Sequence, residues 1–83
     1  GKGKVQSTGV FVLISNYADI CLENGKIKAS GEEVNGVFST RKKAEKMGNW
    51  LLKTSRESPD DFRDDETLRI YNSYEVRNFL ILW

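Results

Sequence analysis

The sequence predicts a small α+β domain: a sheet of four or five strands, antiparallel or mixed, with one main helix packed on one face. Three observations carry this. An apolar, β-branched run at Val10-Phe11-Val12-Leu13-Ile14 suits a strand covered on both sides. An Asn24-Gly25 dipeptide sits between two short extended stretches, the signature of a β-hairpin. A Ser39-Thr40 pair precedes Ala44, Met47 and Leu51, which recur at helical spacing. A chain of 83 residues is one domain's worth, and its core must be thin. With 39% hydrophobic and 30% charged residues, the chain falls among globular proteins rather than disordered ones.

In chain order, the polar, glycine-rich segment 1–9 is expected to be flexible, and 10–83 to form the domain. The Val10–Ile14 strand belongs centrally in the sheet. Asn16 to Asp19 reads as a loop containing Tyr17. In the hairpin, a two-residue turn sets Glu23 opposite Lys26, Leu22 opposite Ile27, Cys21 opposite Lys28 and Ile20 opposite Ala29. That register gathers the apolar pairs on one face and a Glu23–Lys26 charge pair on the other.

Ser30-Gly31-Glu32-Glu33 breaks the extended pattern, and Val34 to Phe38 resumes it around Asn35-Gly36. The helix begins at a Ser39 or Thr40 cap and ends near Thr54 or Ser55, with Trp50 and Leu52 widening its apolar side. Gly48 inside it costs about 1 kcal/mol relative to Ala, which points to close helix–sheet packing there. Ser58-Pro59-Asp60-Asp61 has the order of a short helical start, pinned by Phe62. From Thr67 the period becomes two: Leu68, Ile70, Tyr74 and Val76 share one parity, with a bulge expected near Asn72-Ser73. The helix face Ala44, Met47 and Leu51 is expected to meet Val12, Ile14, Leu22, Ile27, Leu68 and Ile70. The chain closes on the apolar run Phe79-Leu80-Ile81-Leu82-Trp83.

The stretch Asn35-Gly36-Val37-Phe38-Ser39-Thr40-Arg41-Lys42-Lys43-Ala44-Glu45 resembles the middle of a group of small, mostly uncharacterised phage and bacterial proteins. There a leading strand, a Ser/Thr-capped basic helix entry and a closing strand follow one another. The resemblance covers about half the sequence, implies a hairpin–helix–strand order and a phage or prophage origin, and carries no catalytic residues. The apolar C-terminal run departs from that pattern.

Several chemistries are excluded by composition. Histidine is absent, which removes the commonest general base near neutral pH and the commonest metal ligand. One cysteine, Cys21, builds neither a thiolate zinc site nor an internal disulfide. Gly1-Lys2-Gly3-Lys4 lacks the flanking strand and helix of a phosphate loop. Asp60, Asp61, Asp64, Asp65 and Glu66 lack the ligand order and central glycine of a calcium loop, so a solvated acidic loop is expected. No catalytic residue, metal site or cofactor is predicted, and the chain reads as a non-enzymatic protein.

Two surfaces remain for binding. Phe79, Ile81 and Trp83 either complete the core or form an interface to a protein partner or a second copy. Arg41, Lys42, Lys43 and Lys46 lie on the first turns of the helix, where cations oppose the dipole, and form the alternative, an anion or nucleic-acid contact. The net charge of +1 argues against a generic charge-driven nucleic-acid binder, although the residues through Lys53 carry nine basic and five acidic groups and the remainder four and seven. No apolar stretch reaches the length of a membrane span or a signal-peptide core, and the single cysteine fits a reducing compartment. A cytoplasmic protein is expected, in host cytoplasm if phage-encoded.

Overall fold

A computed structural model describes residues 7–82, in the order β1 (Ser7–Cys21), β2 (Ile27–Phe38), α1 (Arg41–Glu57), a 3₁₀ turn (Pro59–Phe62) and β3 (Thr67–Leu82). The strands form one antiparallel sheet in the order β2-β1-β3, and α1 packs on one face. The α+β class agrees with the sequence reading; the strand number does not, being three rather than four or five. The reason is continuity. The expected loop at Asn16–Asp19 is strand, paired on both sides, so Val10–Ile14 and Ile20–Cys21 are one element. Ser30–Glu33 likewise joins the two halves of β2, and Phe79–Leu82 continues β3. Of the segment 1–9, residues 1–6 lie outside the described residues, and Ser7–Gly9 belong to β1.

The hairpin forms where Asn24-Gly25 predicts it, but in another register. Ile20 faces Ile27 and Asp19 faces Ala29. Within this turn Gly25 alone has a positive φ, 71°, whereas a type I′ turn needs two such residues. The chain instead closes a wider loop. The Gly25 N–H donates to the Cys21 carbonyl, the Cys21 N–H donates to the Lys26 carbonyl, and the Asn24 side chain accepts from the Lys26 N–H.

Thr40 caps α1, its hydroxyl accepting from the Lys43 N–H. The helix runs to Glu57, about a turn's fraction beyond the predicted end, and its last carbonyls are met by the Ser58 N–H donating to Thr54. Its buried stripe is Ala44, Gly48, Leu51 and Ser55, so Gly48 takes the place expected for Met47, which is exposed. The core joins Leu13, Ala44, Leu51 and Tyr71, flanked by Phe11, Tyr17, Phe38, Leu52, Phe62, Tyr74 and Val76. Phe62 pins the 3₁₀ turn as predicted, edge-on to Tyr71 at 6.0 Å between centroids.

The expected sheet side of the core is inverted. Directly paired residues share a face, and the register puts Val12, Ile14, Ile20, Ile27, Leu68 and Ile70 on the side away from α1. A continuous apolar run carries no parity of its own, so Val10–Ile14 did not decide the matter. In β3 the bulge did. Asn16 pairs with Ser73 and Tyr17 with Tyr71, leaving Asn72 unpaired, which exchanges the faces of Leu68 and Ile70 with those of Tyr74 and Val76.

Candidate interaction surfaces

With the helix occupying one side, no helix or strand among the described residues packs over the opposite side of the sheet, although Ile14 and Ala18 on its central strand are buried by their neighbours. Reading across β2, β1 and β3, its rows are Val37-Val12-Arg77, Val34-Ile14-Glu75, Glu32-Asn16-Ser73, Ser30-Ala18-Ile70 and Ile27-Ile20-Leu68. Two apolar ends thus flank a polar middle row. Val34, Val37 and Ile27 are 63%, 61% and 70% exposed, and at one end the face continues through Val10 to Phe79, 49% exposed. The charges present are partly spent, since Arg77 makes two 3.0 Å hydrogen bonds to Glu75. That pairing holds the Glu75 carboxyl below the usual carboxylate range.

Beyond Phe38 the sheet narrows to a two-stranded ribbon, Ser7–Val10 against Phe79–Leu82. The C-terminal run therefore pairs within its own sheet. Neither Phe79 nor Leu80 enters the core: Phe79 faces the open side, and Leu80 is 66% exposed. Ile81 pairs with Thr8 through its backbone, while Trp83 lies outside the described residues. The ribbon gives the molecule extents of 62 × 21 × 17 Å and a radius of gyration of 16.7 Å, against about 12 Å for a compact chain of this length.

The four basic residues at the helix entry are not equivalent. Arg41 turns toward β1 and β3, with its guanidinium 5.4 Å from the centre of the Phe11 ring and a 3.4 Å bond to the Val76 carbonyl. Lys42 and Lys46, four residues apart, share one side of the helix, with Lys43 about 100° round from Lys42. Lys43 and Lys46 join Met47 and Trp50 in a second stripe beside the buried one. With Phe38 they line a groove between α1 and the edge strand β2. This groove was not legible as a site, because Met47 and Trp50 read as core.

A polar cluster ties the three strands together on the helix side, near the hairpin end. Arg69 on β3 holds Asp19 on β1 through two bonds of 2.8 and 2.9 Å and Glu33 on β2 through one of 2.7 Å. Its guanidinium lies 3.8 Å above the Tyr17 ring, a close cation–π contact. The Tyr71 hydroxyl donates to Glu33 at 2.7 Å, and Asn35 donates to the same carboxylate. The Arg69 bond holds the Asp19 carboxyl below its ordinary pKa. Burial disfavours the Glu33 anion, but the Tyr71, Asn35 and Arg69 donors outweigh it and lower that pKa as well. Burial and the bond to Glu33 raise the Tyr71 hydroxyl. The charged groups and the Tyr71 hydroxyl are mutually engaged, which suits a strand clamp rather than a reacting centre, and only the buried Oδ1 of Asn35 in this cluster lacks a partner.

The remaining candidates are placed as follows. Cys21 is half-buried at the end of β1, paired with Thr67. In the acidic segment, Asp64 accepts from the Glu66 and Thr67 N–H groups at 2.8 and 2.7 Å, closing the turn into β3. Among the described residues, no group of three or more His, Cys, Asp or Glu is placed to hold a metal ion. No helix among them is long and apolar enough to cross a membrane. No protein family, curated protein or solved structure matches this chain.

Proposed function

We propose that this domain is a non-enzymatic protein-binding module that associates with a second copy of itself through the open side of its sheet. One observation carries the reading: the apolar rows through Val12, Ile14, Val34, Val37, Ile20, Ile27, Leu68 and Ile70 face away from α1. A sheet ordinarily covers its apolar face with another layer, and two such faces pack about 10 Å apart in a sandwich. Over its three-stranded part, Val12 to Ile20, the face spans about 26 Å, and three strands are about 14 Å wide. That outline of about 370 Å², to which side-chain relief and the Val10–Phe79 end add, is roughly half of the 800 Å² that each partner contributes to a stable complex. The need is also energetic. The core around Leu13, Ala44, Leu51 and Tyr71 is small, and small domains commonly gain stability by association.

Size-exclusion chromatography with light scattering tests this on the full chain. Wild type is expected as a dimer, and Val37→Lys as a folded monomer, since Val37 contributes nothing to the helix-side core. A wild-type monomer at every concentration up to its solubility limit would overturn self-association. A nucleic-acid reading through Arg41, Lys42, Lys43 and Lys46 draws less support, because Arg41 is engaged with Phe11 and Val76, which leaves the three lysines to carry it. Unchanged affinity for single-stranded DNA after charge reversal at Lys42 and Lys43 disposes of it.

A further inference from the structure

We infer that the groove between α1 and β2 is a docking site for an acidic peptide segment carrying a large apolar side chain. Phe38, Met47 and Trp50 form its floor and wall, with Lys43 and Lys46 along its rim. Met47 is 37% exposed and Trp50 54%, although neither is needed to complete the core stripe Ala44, Gly48, Leu51 and Ser55. Trp50 is nonetheless held in place, its ring tilted against Phe62 at 6.5 Å between centroids. An exposed but fixed aromatic beside a pliable methionine is the composition of a binding anchor.

Charge chooses the occupant. Neither Lys43 nor Lys46 forms an ion pair among the described residues; the Lys43 ammonium has only a 3.4 Å contact with the Ser39 hydroxyl. The first turn of α1 holds no acidic residue, so the positive end of the helix dipole adds to the two ammonium groups. Glu33, the nearest carboxylate on the helix-facing side of β2, is consumed by Arg69, Tyr71 and Asn35. A carboxylate-bearing segment supplies the missing counter-charge, and its apolar residue fills the trough. Readout of base edges needs hydrogen-bonding side chains, and the groove offers none besides its two lysines, so stacking of a single strand on Trp50 is the nucleic-acid outcome that oligothymidine competition tests. The site lies on the opposite side of the sheet from the self-association face, so each surface can be altered alone.

Selection from a random-peptide display library against the immobilised full chain tests the inference. The recovered peptides are expected to combine Asp or Glu with Phe, Leu, Ile or Trp. Their binding is expected to fall at least ten-fold in Trp50→Ala and in the double reversal Lys43→Glu/Lys46→Glu, while Val37→Lys leaves it unchanged. The reversal puts acids near a helix start, where they favour the fold, so its loss of binding is not loss of structure. A basic or purely apolar consensus, no enrichment, indifference to both groove variants, or competition by single-stranded oligothymidine each overturns it.

Discussion

Gly48 of α1 lies against the face of Tyr74 on β3 so closely that a Cβ at Gly48 would stand 2.7 Å from three ring atoms. One of them is Cγ, next to the strand backbone, so the ring cannot swing clear. The Tyr74 hydroxyl is further fixed by a 2.9 Å bond to Asn49. Helix propensity alone favours Gly48→Ala by about 1 kcal/mol. The contact reverses the sign: overpacking of this kind costs about 1–3 kcal/mol, so a net loss of stability is expected. Thermal unfolding of Gly48→Ala, Tyr74→Ala and the double variant checks it. The double variant should lose less than the sum of the singles.

That contact was legible in outline, since a glycine in an amphipathic helix implies close approach. The element order, the Thr40 cap, the Phe62 pin and the Asn72 bulge were legible too, because each depends on residues adjacent in sequence. The facing of the sheet was not. It depends on which of two apolar parities the helix chooses, and Phe11, Leu13 and Tyr17 are as apolar as Val12, Ile14 and Ile20. The Asn72 bulge supplied the clue. Once a residue is left unpaired there, Ile70 and Tyr74 cannot share a face, and Tyr71 must belong with Tyr74. The interaction surfaces follow from this inversion. The open face was hidden because its residues read as core, and the groove because Met47 does.

Arg69 predicts a pH profile bounded at both ends. Asp19 and Glu33 have folded-state pKa values below their unfolded ones. Their contribution is therefore full above about pH 4–5 and is lost as pH falls through the lowered values. Tyr71 has the opposite sign: its raised value gives a contribution that is full below about pH 10 and is lost as pH rises through the folded value. Chemical denaturation across pH should show both flanks. In Arg69→Met the acid flank should flatten, because the bond that lowers Asp19 is gone.

The same variant measures the clamp itself. Removing Arg69 leaves Asp19 and Glu33 without their cation while they remain half-buried, and frees Tyr17 of its guanidinium. Partial exposure moderates the penalty, and a loss of about 1–3 kcal/mol is expected, more than for an exposed pair. Arg77→Met, which removes the exposed pair with Glu75, should change stability by less than about 1 kcal/mol. Equal losses in the two variants would count against a clamp joining three strands.

The C-terminal ribbon gives the sharpest separation of folding from association. Phe79–Leu82 pair with Ser7–Val10 beyond the end of β2, away from Leu13, Ala44, Leu51 and Tyr71. Deleting 79–83 removes ladder bonds from the ribbon and the Phe79 end of the open face, yet takes away none of Leu13, Ala44, Leu51 and Tyr71. The truncated chain is expected to unfold cooperatively, with a midpoint only a few degrees below wild type, about what 1 kcal/mol produces in a domain this small. Its dimer should dissociate at least ten-fold more readily in sedimentation equilibrium, because one apolar end of the face is shortened. An unfolded truncation would return the run to a role in the core, and an unweakened dimer would remove Phe79 from the interface.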